Sequence, residues 1–127
     1  MASPTILVAD EDTDTRLILR ALLERNGYQV VDAATGADAV ALADRHQLAL
    51  IILNHPMDVD GQVTLAKWLL SQPRSRATPI INLTSRAIPA FIEEARQLGV
   101  AVTMTKPLDV YRLLQLVMEL TSPMVAR

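Results

Sequence analysis

An uninterrupted apolar run from Leu48 to Leu53 is the feature that most constrains the fold of this chain. A strand with water on one face alternates apolar and polar residues, whereas a strand covered on both faces stays apolar throughout. The run ends at Asn54 and passes into a short polar loop, HPMDVDG. In open parallel sheets the functional groups lie just beyond the carboxyl ends of such strands. We therefore expect a buried strand with Asn54 at the centre of a site.

Four more short apolar runs alternate with segments of helical periodicity. The predicted strands are Thr5–Ala9, Tyr28–Val31, Leu48–Leu53, Pro79–Leu83 and Val100–Met104. One predicted helix is capped by Asp12 or Thr13 and one follows Thr35 and Gly36. A third runs from Gln62 to Ser71, a fourth has Pro89 in its first turn, and a fifth is capped by Asp109. Five strands alternating with five helices predict a parallel sheet whose right-handed crossovers place helices on both faces. The expected fold class is α/β, a flavodoxin-like doubly wound five-stranded sheet with strand order 2-1-3-4-5.

Composition narrows the kinds of function. The 127 residues suit one domain, which we assign to 1–121, with 122–127 as a C-terminal tail or the start of a linker. A net charge of -2 with both signs scattered offers no basic face to a nucleic acid. Cysteine is absent, so the chain can form neither disulfides nor thiolate metal sites. Without a signal peptide or a membrane-length apolar run, we expect a cytoplasmic protein with a protein or small-ligand partner.

Polar residues follow four of the predicted strands directly. Asp10 and Glu11 come after the first strand, Asn54 after the third, Thr84 after the fourth and Lys106 after the fifth. In the proposed sheet these strand ends share one edge, so we expect the five side chains to be neighbours. Two carboxylates and an amide oxygen suit a hard cation such as Mg²⁺. A hydroxyl and an ammonium opposite them suit a phosphoryl group or a carboxylate.

With these fragments in order, the chain resembles a receiver domain of the two-component response-regulator family over essentially its whole length. The fragments are ILVADEDTDTR, ALIILN followed by DG, PIINLTS and GVAVTMTKPLD. Each is weak alone, but four in the right order at the right spacing form a specific signal. In the family, an Asp at the end of the third strand takes a phosphoryl group from a histidine kinase with Mg²⁺. The face formed by the fourth helix, fifth strand and fifth helix then shifts.

The resemblance implies a role for each matching residue. Asp10 and Glu11 match the acidic, metal-binding pair, Thr84 the switch hydroxyl and Lys106 the lysine of the phosphoryl pocket. Pro107 matches a residue whose preceding peptide bond is usually cis in the family.

Three features depart from the family pattern, and they affect the phosphoacceptor, the loop after it and the position that reads out phosphorylation. Asn54 stands at the phosphoacceptor position, and an amide oxygen is a poor, uncharged nucleophile. The loop from Asn54 to Gly61 is one position short and has Pro56-Met57 in place of Met-Pro. Thr103 occupies the switch position, where the family has Tyr or Phe. We expect an atypical receiver, or pseudo-receiver, that is not an enzyme, is not phosphorylated at the usual position, and acts through protein contacts.

Other functions stay open at this point. Asp58 or Asp60 could serve as a displaced acceptor, which would make the chain a conventional phosphorylated response regulator. His55 could take a phosphoryl group or a metal, although lone loop histidines are usually solvated. A small-ligand module on the same scaffold is disfavoured, because the first strand-helix loop carries Asp and Glu where a phosphate cradle needs glycines.

The acidic pair also has a purely structural interpretation. Carboxylates are favoured near helix starts, and we expect Lys106 to pair with Asp10 or Glu11 whatever else the site does. Because one charged ligand is missing, we expect Mg²⁺ binding to be weakened.

The expected partners are signalling proteins, either a histidine kinase or an output domain in the same or another chain. The last helix carries a second apolar stripe of Tyr111, Leu114 and Met118 beside its core stripe. This stripe is consistent with either a wide core contact or a homodimer through the fourth helix, fifth strand and fifth helix.

Overall fold

The structure, a computed structural model, describes residues 3–86 and 88–122, without the side chain of Phe91. Strands and helices alternate along this part of the chain. They are β1 (Thr5–Ala9), α1 (Thr13–Arg25), β2 (Gln29–Ala33), α2 (Gly36–Arg45), β3 (Leu50–Asn54), α3 (Leu65–Ser71), β4 (Ile80–Thr84), α4 (Pro89–Leu98), β5 (Val102–Thr105) and α5 (Val110–Thr121). Most of the predicted tail, 123–127, lies outside the described residues.

All five strands form one parallel sheet with the order β2-β1-β3-β4-β5. The predicted fold class and strand order are therefore confirmed. β3 lies between β1 and β4, and its residues Leu50 to Leu53 are all fully buried. The long apolar run thus marked a strand that is covered on both faces.

Alternate residues of the strands feed two separate cores. One core, beneath α1 and α5, contains Ile6, Val8, Leu19, Leu23, Leu50, Ile52, Leu113 and Val117. The other, beneath α2, α3 and α4, contains Leu7, Ala39, Ile51, Leu53, Leu65, Leu69 and Ala95. The sheet therefore has a largely aliphatic core on each of its two faces.

Four helices begin with a side chain that caps the backbone. Asp12, Thr35, Thr64 and Asp109 each accept a hydrogen bond from an N–H group in the first turn of the helix that follows. The helix α4 has no such side-chain cap and begins with Pro89 instead, as the sequence predicts. No helix within the described ranges is long and apolar enough to cross a membrane.

The prediction of α3 was wrong at its start, because the helix begins at Leu65 and not at Gln62. The preceding residues belong to a loop that closes on itself. The Val59 N–H donates to the Val63 carbonyl at 2.9 Å, and the Leu65 N–H donates to the Met57 carbonyl at 2.6 Å. These bonds use the backbone groups that another helical turn would need.

Smaller differences affect β2, β5 and α5. β2 runs on to Ala33, which pairs with the end of β1, and β5 starts only at Val102. Its predicted first residue, Val100, instead donates its N–H to the Ala95 carbonyl and closes α4. In α5 the buried residues are Leu113, Leu116 and Val117, while Leu114 of the predicted second apolar stripe is half-buried.

Candidate functional site

Asp10 and Lys106 form an ion pair at the carboxyl edge of the sheet. The Lys106 Nζ donates to Asp10 Oδ2 at 2.8 Å, and Asp10 is 1% exposed. The other carboxylate oxygen, Oδ1, accepts the Asp12 N–H at 2.9 Å. Both oxygens of Asp10 are thus already engaged by the protein. The Lys106-Pro107 peptide bond is cis, as the family resemblance implied.

Asn54 is the last residue of β3 and is half-buried. Since Ala9 of β1 pairs with Leu53 of β3, Asp10 and Asn54 leave the sheet side by side. The predicted juxtaposition of these two side chains at the sheet edge follows from this register. At this position the chain offers a neutral amide next to a neutralised carboxylate.

Glu11 is exposed and faces a different space from Asp10. It lines a cleft of about 420 Å³ together with Ala34, Thr35, Gly36, Pro56, Met57 and Asp58. Within residues 3–86 and 88–122, no three His, Cys, Asp or Glu side chains are grouped so that they could hold a metal ion. Lys106 thus pairs with Asp10, one of the two predicted Mg²⁺ ligands, while the other, Glu11, lines the cleft. The cleft is lined by the carboxylate residues Glu11 and Asp58 together with Thr35 and Gly36 at the start of α2.

Thr84 ends β4 and is 2% exposed. Its hydroxyl accepts the Arg86 N–H at 3.1 Å and lies 3.1 Å from the Arg86 carbonyl, to which it donates. The hydroxyl therefore satisfies backbone groups of its own loop, which is the structural role that strand-end hydroxyls often have.

The loop after β3 packs directly against the first turn of α2. A Cβ added to Gly36 would lie 2.0 Å from the Asp58 carbonyl oxygen and 3.0 Å from the Val59 Cα. Such an approach is open only to glycine. The shortened loop is thus held against α2 at this contact.

His55 is 6% exposed, which corrects the expectation of a solvated loop histidine. The backbone N–H of His55 donates to the backbone carbonyl of Leu83 at 2.7 Å, so the pairing of β3 with β4 continues one residue beyond Asn54. Successive side chains of a strand point to opposite faces of the sheet. The His55 side chain therefore lies on the face opposite to that of Asn54, where it is buried.

The two loop carboxylates are both exposed. Asp58 is bridged to Thr64 through the backbone, and Asp60 Oδ1 accepts the Gln62 N–H at 3.0 Å. Both residues therefore belong to the turn that closes the loop in front of α3.

Arg16 supports the acidic loop, and sequence reasoning did not single it out. Its Nη1 donates to the Asp10 carbonyl at 2.6 Å and to the Glu11 carbonyl at 3.2 Å, while its Nε lies 3.6 Å from an Asp32 carboxylate oxygen. Arg20 also binds Asp32, at 2.8 Å, and this hydrogen bond raises the pKa of Arg20. The sequence shows these arginines on α1, but only the pairing of β1 with β2 places Asp32 opposite them.

Asp12 fixes the start of α1 and its pKa is lowered. The main cause is the hydrogen bond that the Thr15 hydroxyl donates to its carboxylate at 2.7 Å, and the Asp14 N–H contributes as well. The charged form of Asp12 is therefore stabilised by the helix that it caps.

Thr103, the predicted switch position, lies half-buried on β5 beside Asn82 of β4. Asn82 is 1% exposed, and neither atom of its side-chain amide has a hydrogen-bond partner among the described residues. Burying a polar group without a partner costs about 1–3 kcal/mol. Sequence reasoning missed Asn82, although an amide within an otherwise apolar strand, PIINLT, was the available signal.

Comparisons with known proteins agree with this architecture. The family model of the response regulator receiver domain matches residues 6–118 of the chain. The chain is 28% identical to the polar-differentiation response regulator DivK of Brucella ovis over 115 residues, which cover 91% of this chain and 93% of the relative.

Solved structures show the same fold. The chemotaxis response regulator CheY4 of Vibrio cholerae is 26% identical with a TM-score of 0.82, and the match covers 93% of this chain and 98% of that one. The receiver domain of a sensor histidine kinase from Pseudomonas aeruginosa, with a magnesium ion coordinated in its active-site cleft, has the same identity and TM-score; the match covers 96% of this chain and 100% of that one. Since the family match spans most of the sequence and the fold is shared over nearly the whole chain, this chain belongs to the response regulator receiver domain family of two-component signalling.

Proposed function

We propose that this receiver domain is not phosphorylated at the end of β3 and signals through protein-protein contacts. The observation that carries the proposal is the amide of Asn54 beside the Asp10–Lys106 ion pair. An amide oxygen does not attack a phosphoryl donor as a carboxylate does, so the acyl phosphate of a receiver cannot form there. The domain then has no chemistry of its own and is a binding module, not an enzyme.

Weak Mg²⁺ binding forms part of the same proposal. The relative from Pseudomonas aeruginosa coordinates magnesium in its cleft. In this chain Asn54 supplies a neutral amide at the end of β3, where a carboxylate would add a charged ligand. Adding a charged ligand through Asn54→Asp should tighten Mg²⁺ binding at least about tenfold, because affinity for hard cations rises with the number of carboxylates. Titration with MgCl₂ followed by calorimetry measures this, and equal affinity of the two proteins would contradict it.

The partners proposed are a histidine kinase or an output domain, in the same or another chain, or a second copy of this domain. The support is exposed apolar surface on α4 and α5, where Ile92 is 40%, Tyr111 85% and Met118 51% exposed. Both helices lie beside the edge strand β5, and apolar groups left exposed to water in one region are typical of contact surfaces. If this surface forms a homodimer, the molar mass in solution will fall from dimer to monomer on Tyr111→Ser. A cytoplasmic location stays a prediction.

The decisive experiment is intact-mass spectrometry after incubation with acetyl phosphate and Mg²⁺. We expect no added phosphate on the wild type and one on Asn54→Asp, since the variant restores the nucleophile beside Lys106. The matched control is Asn26→Asp, which creates a carboxylate at the exposed C-cap of α1, away from the site, and should gain nothing.

A phosphate on the wild type would overturn the proposal. Separate Asp58→Ala and Asp60→Ala substitutions would then identify a displaced acceptor in the loop after β3. Loss of the signal in acid, where phosphohistidine hydrolyses and acyl phosphate persists, would identify His55 instead. Either result would make this domain a conventional phosphorylation switch.

A further inference from the structure

Three arginines near the end of α2 are not neutralised by the protein itself. Arg45 is the last residue of α2, and Arg74 and Arg76 lie in the turn between α3 and β4. All three are exposed. Within residues 3–86 and 88–122, none of them forms a side-chain hydrogen bond or an ion pair. Their charges are therefore available to a group outside the molecule.

The turn that carries Arg74 and Arg76 is held in place by hydrogen bonds. Ser75, which lies between them, is 4% exposed and donates through its hydroxyl to the Leu69 carbonyl at 2.6 Å. The backbone N–H of Arg76 donates to the Gln72 carbonyl at 2.9 Å. The two guanidinium groups are thus presented from a fixed backbone.

A groove of about 220 Å³ lies between this turn and the end of α2. Trp68, which is half-buried, and Arg74 line it, and so does the carboxylate residue Asp44. We call Arg45, Arg74 and Arg76 the basic patch; the three arginines outnumber Asp44, so the patch is positively charged. Trp and Arg are among the residues enriched in protein-protein interfaces. The composition of this region is therefore that of a contact surface for an acidic group.

The start of α2 carries the opposite charge. Glu11 and Asp58 line the cleft of about 420 Å³ beside Gly36, and Asp38 lies in the first turn of α2. We call Glu11, Asp38 and Asp58 the acidic patch. All three are exposed, and their carboxylates form no ion pair in the described part of the chain. Asp38 and Arg45 complement the dipole of α2, but the other charges of the two patches lie on other elements.

The two patches lie at opposite ends of one helix. The chain enters α2 from the carboxyl edge of the sheet and leaves it toward the start of β3, at the amino edge. With ten residues, α2 is about 15 Å long, which exceeds the screening length of about 8 Å at physiological salt. The patches of one molecule therefore do not neutralise each other. A second copy can bring its acidic patch to the basic patch, and a net charge of -2 opposes this only weakly.

We propose that the basic patch binds the acidic patch of a second copy, so that the domains associate head to tail along the axis of α2. Such a contact is heterologous, because it joins two different surfaces, and it leaves one patch of each kind open at the ends of the assembly. Association therefore does not stop at a dimer. The contact is separate from the exposed apolar groups of α4 and α5, and it does not depend on whether the domain is phosphorylated.

The test is sedimentation equilibrium of the full chain in magnesium-free buffer. At low salt we expect the average molar mass to rise with concentration beyond twice that of the monomer. Raising NaCl toward 1 M should return it to the monomer value, because the screening length falls to about 3 Å. Arg74→Glu/Arg76→Glu should weaken the association at least about tenfold, because like charges would then face each other.

Two further variants separate the patches from net charge. Arg25→Glu/Arg112→Glu, at exposed positions on α1 and α5, changes the net charge by the same amount as Arg74→Glu/Arg76→Glu and should retain the association. Adding Asp38→Lys and Asp58→Lys to Arg74→Glu/Arg76→Glu reverses the charge of the substituted positions in both patches and restores the wild-type net charge. This fourfold variant should regain the association. Circular dichroism checks that each variant is folded.

Trp68 gives a second readout at the contact itself. It is the single Trp of the chain, and it lines the groove of the basic patch. We expect its fluorescence emission to shift to shorter wavelength as the wild type associates, because the second copy removes water from the groove. The emission of Arg74→Glu/Arg76→Glu should not change with concentration. Association without a change in Trp68 emission would overturn the proposal.

Other results would also overturn it. A wild type that stays monomeric at low salt would leave the basic patch to an acidic segment of another protein. A molar mass that stops at twice the monomer, and falls on Tyr111→Ser but not on Arg74→Glu/Arg76→Glu, would place the contact on α4 and α5. Equal loss of association in Arg25→Glu/Arg112→Glu, or no recovery in the folded fourfold variant, would show that the two patches do not bind each other.

Discussion

Lys106 reaches across two strands to neutralise Asp10. The residues are 96 positions apart in the chain, and the ends of β3 and β4 lie between them at the edge of the sheet. The ion pair, with an Nζ–Oδ2 distance of 2.8 Å, therefore spans the edge of the sheet at which β3 ends with Asn54. In this receiver the counter-charge to the buried carboxylate is supplied by the chain itself.

Removing this counter-charge should destabilise the fold. Lys106→Met keeps the apolar stem but leaves the carboxylate of Asp10, which is 1% exposed, without its cation. Leaving a buried charge unpaired typically costs about 3 kcal/mol or more, and we expect a loss of that size in urea denaturation. Lys67→Met, at an exposed position on α3, is the matched control and should change the free energy of unfolding little.

The double variant Asp10→Asn/Lys106→Met should recover part of this loss, because it removes both charges together. If Lys106→Met is no less stable than Lys67→Met, the ion pair contributes nothing to the fold.

Arg16 should hold the β1–α1 loop in place. Its guanidinium binds the carbonyls of Asp10 and Glu11 and lies near Asp32, a geometry that a single ammonium cannot reproduce. We expect Arg16→Lys to lower the free energy of unfolding by about 1.5 kcal/mol, the scale of one charged hydrogen bond. It should also speed amide exchange at Asp12. Arg25→Lys, at the exposed end of α1, should do neither.

Gly36→Ala should displace the loop after β3. The new Cβ would overlap the Asp58 carbonyl, so the backbone must move, and overpacking of this kind costs about 1–3 kcal/mol. Chemical shifts of Asp58 and Val59 should change most. Gly61→Ala is the comparison, because Gly61 has a φ of +87 but open space around its Cα. Gly61→Ala should lower the free energy of unfolding through backbone strain and leave the contact between the loop and α2 unchanged. Unchanged shifts in Gly36→Ala would show that this contact does not hold the loop.

The hydrogen bond from Thr15 to Asp12 should appear in the pH dependence of stability. The bond lowers the pKa of Asp12 in the folded state. Its stabilisation is therefore present above about pH 4 and is lost as the pH falls through the folded pKa. In Thr15→Val we expect the Asp12 pKa, followed by carboxyl NMR, to rise toward its ordinary value.

The stability difference between the wild type and Thr15→Val should accordingly be larger at pH 7 than at pH 2. Thr13→Val, at the exposed first residue of α1, is the control and should leave the pKa of Asp12 unchanged. A stability difference that does not vary with pH would show that Thr15 acts only through packing.

Local patterns were enough to predict the class and strand order of this fold. A buried parallel strand needs an unbroken apolar run, and helix caps need particular residues such as Asp12 and Asp109, so both leave a local signature. The starts of α3 and β5 were predicted wrongly because hydrogen bonds from other segments decide them. The Met57 carbonyl takes the N–H of Leu65, and the end of α4 takes that of Val100.

The sequence by itself determined which chemical groups reach the edge of the sheet: Asp10, Asn54, Thr84 and Lys106 each follow a recognisable strand. Only the tertiary structure decided how those groups are used. Lys106 pairs with Asp10 and not with Glu11, and the Thr84 hydroxyl bonds to the backbone of its own loop. The His55 side chain is buried. The tertiary structure also revealed the orphaned amide of Asn82 beside Thr103. The physical reason is that strand patterns are local, whereas ion pairs and buried hydrogen bonds depend on which distant groups the register brings together.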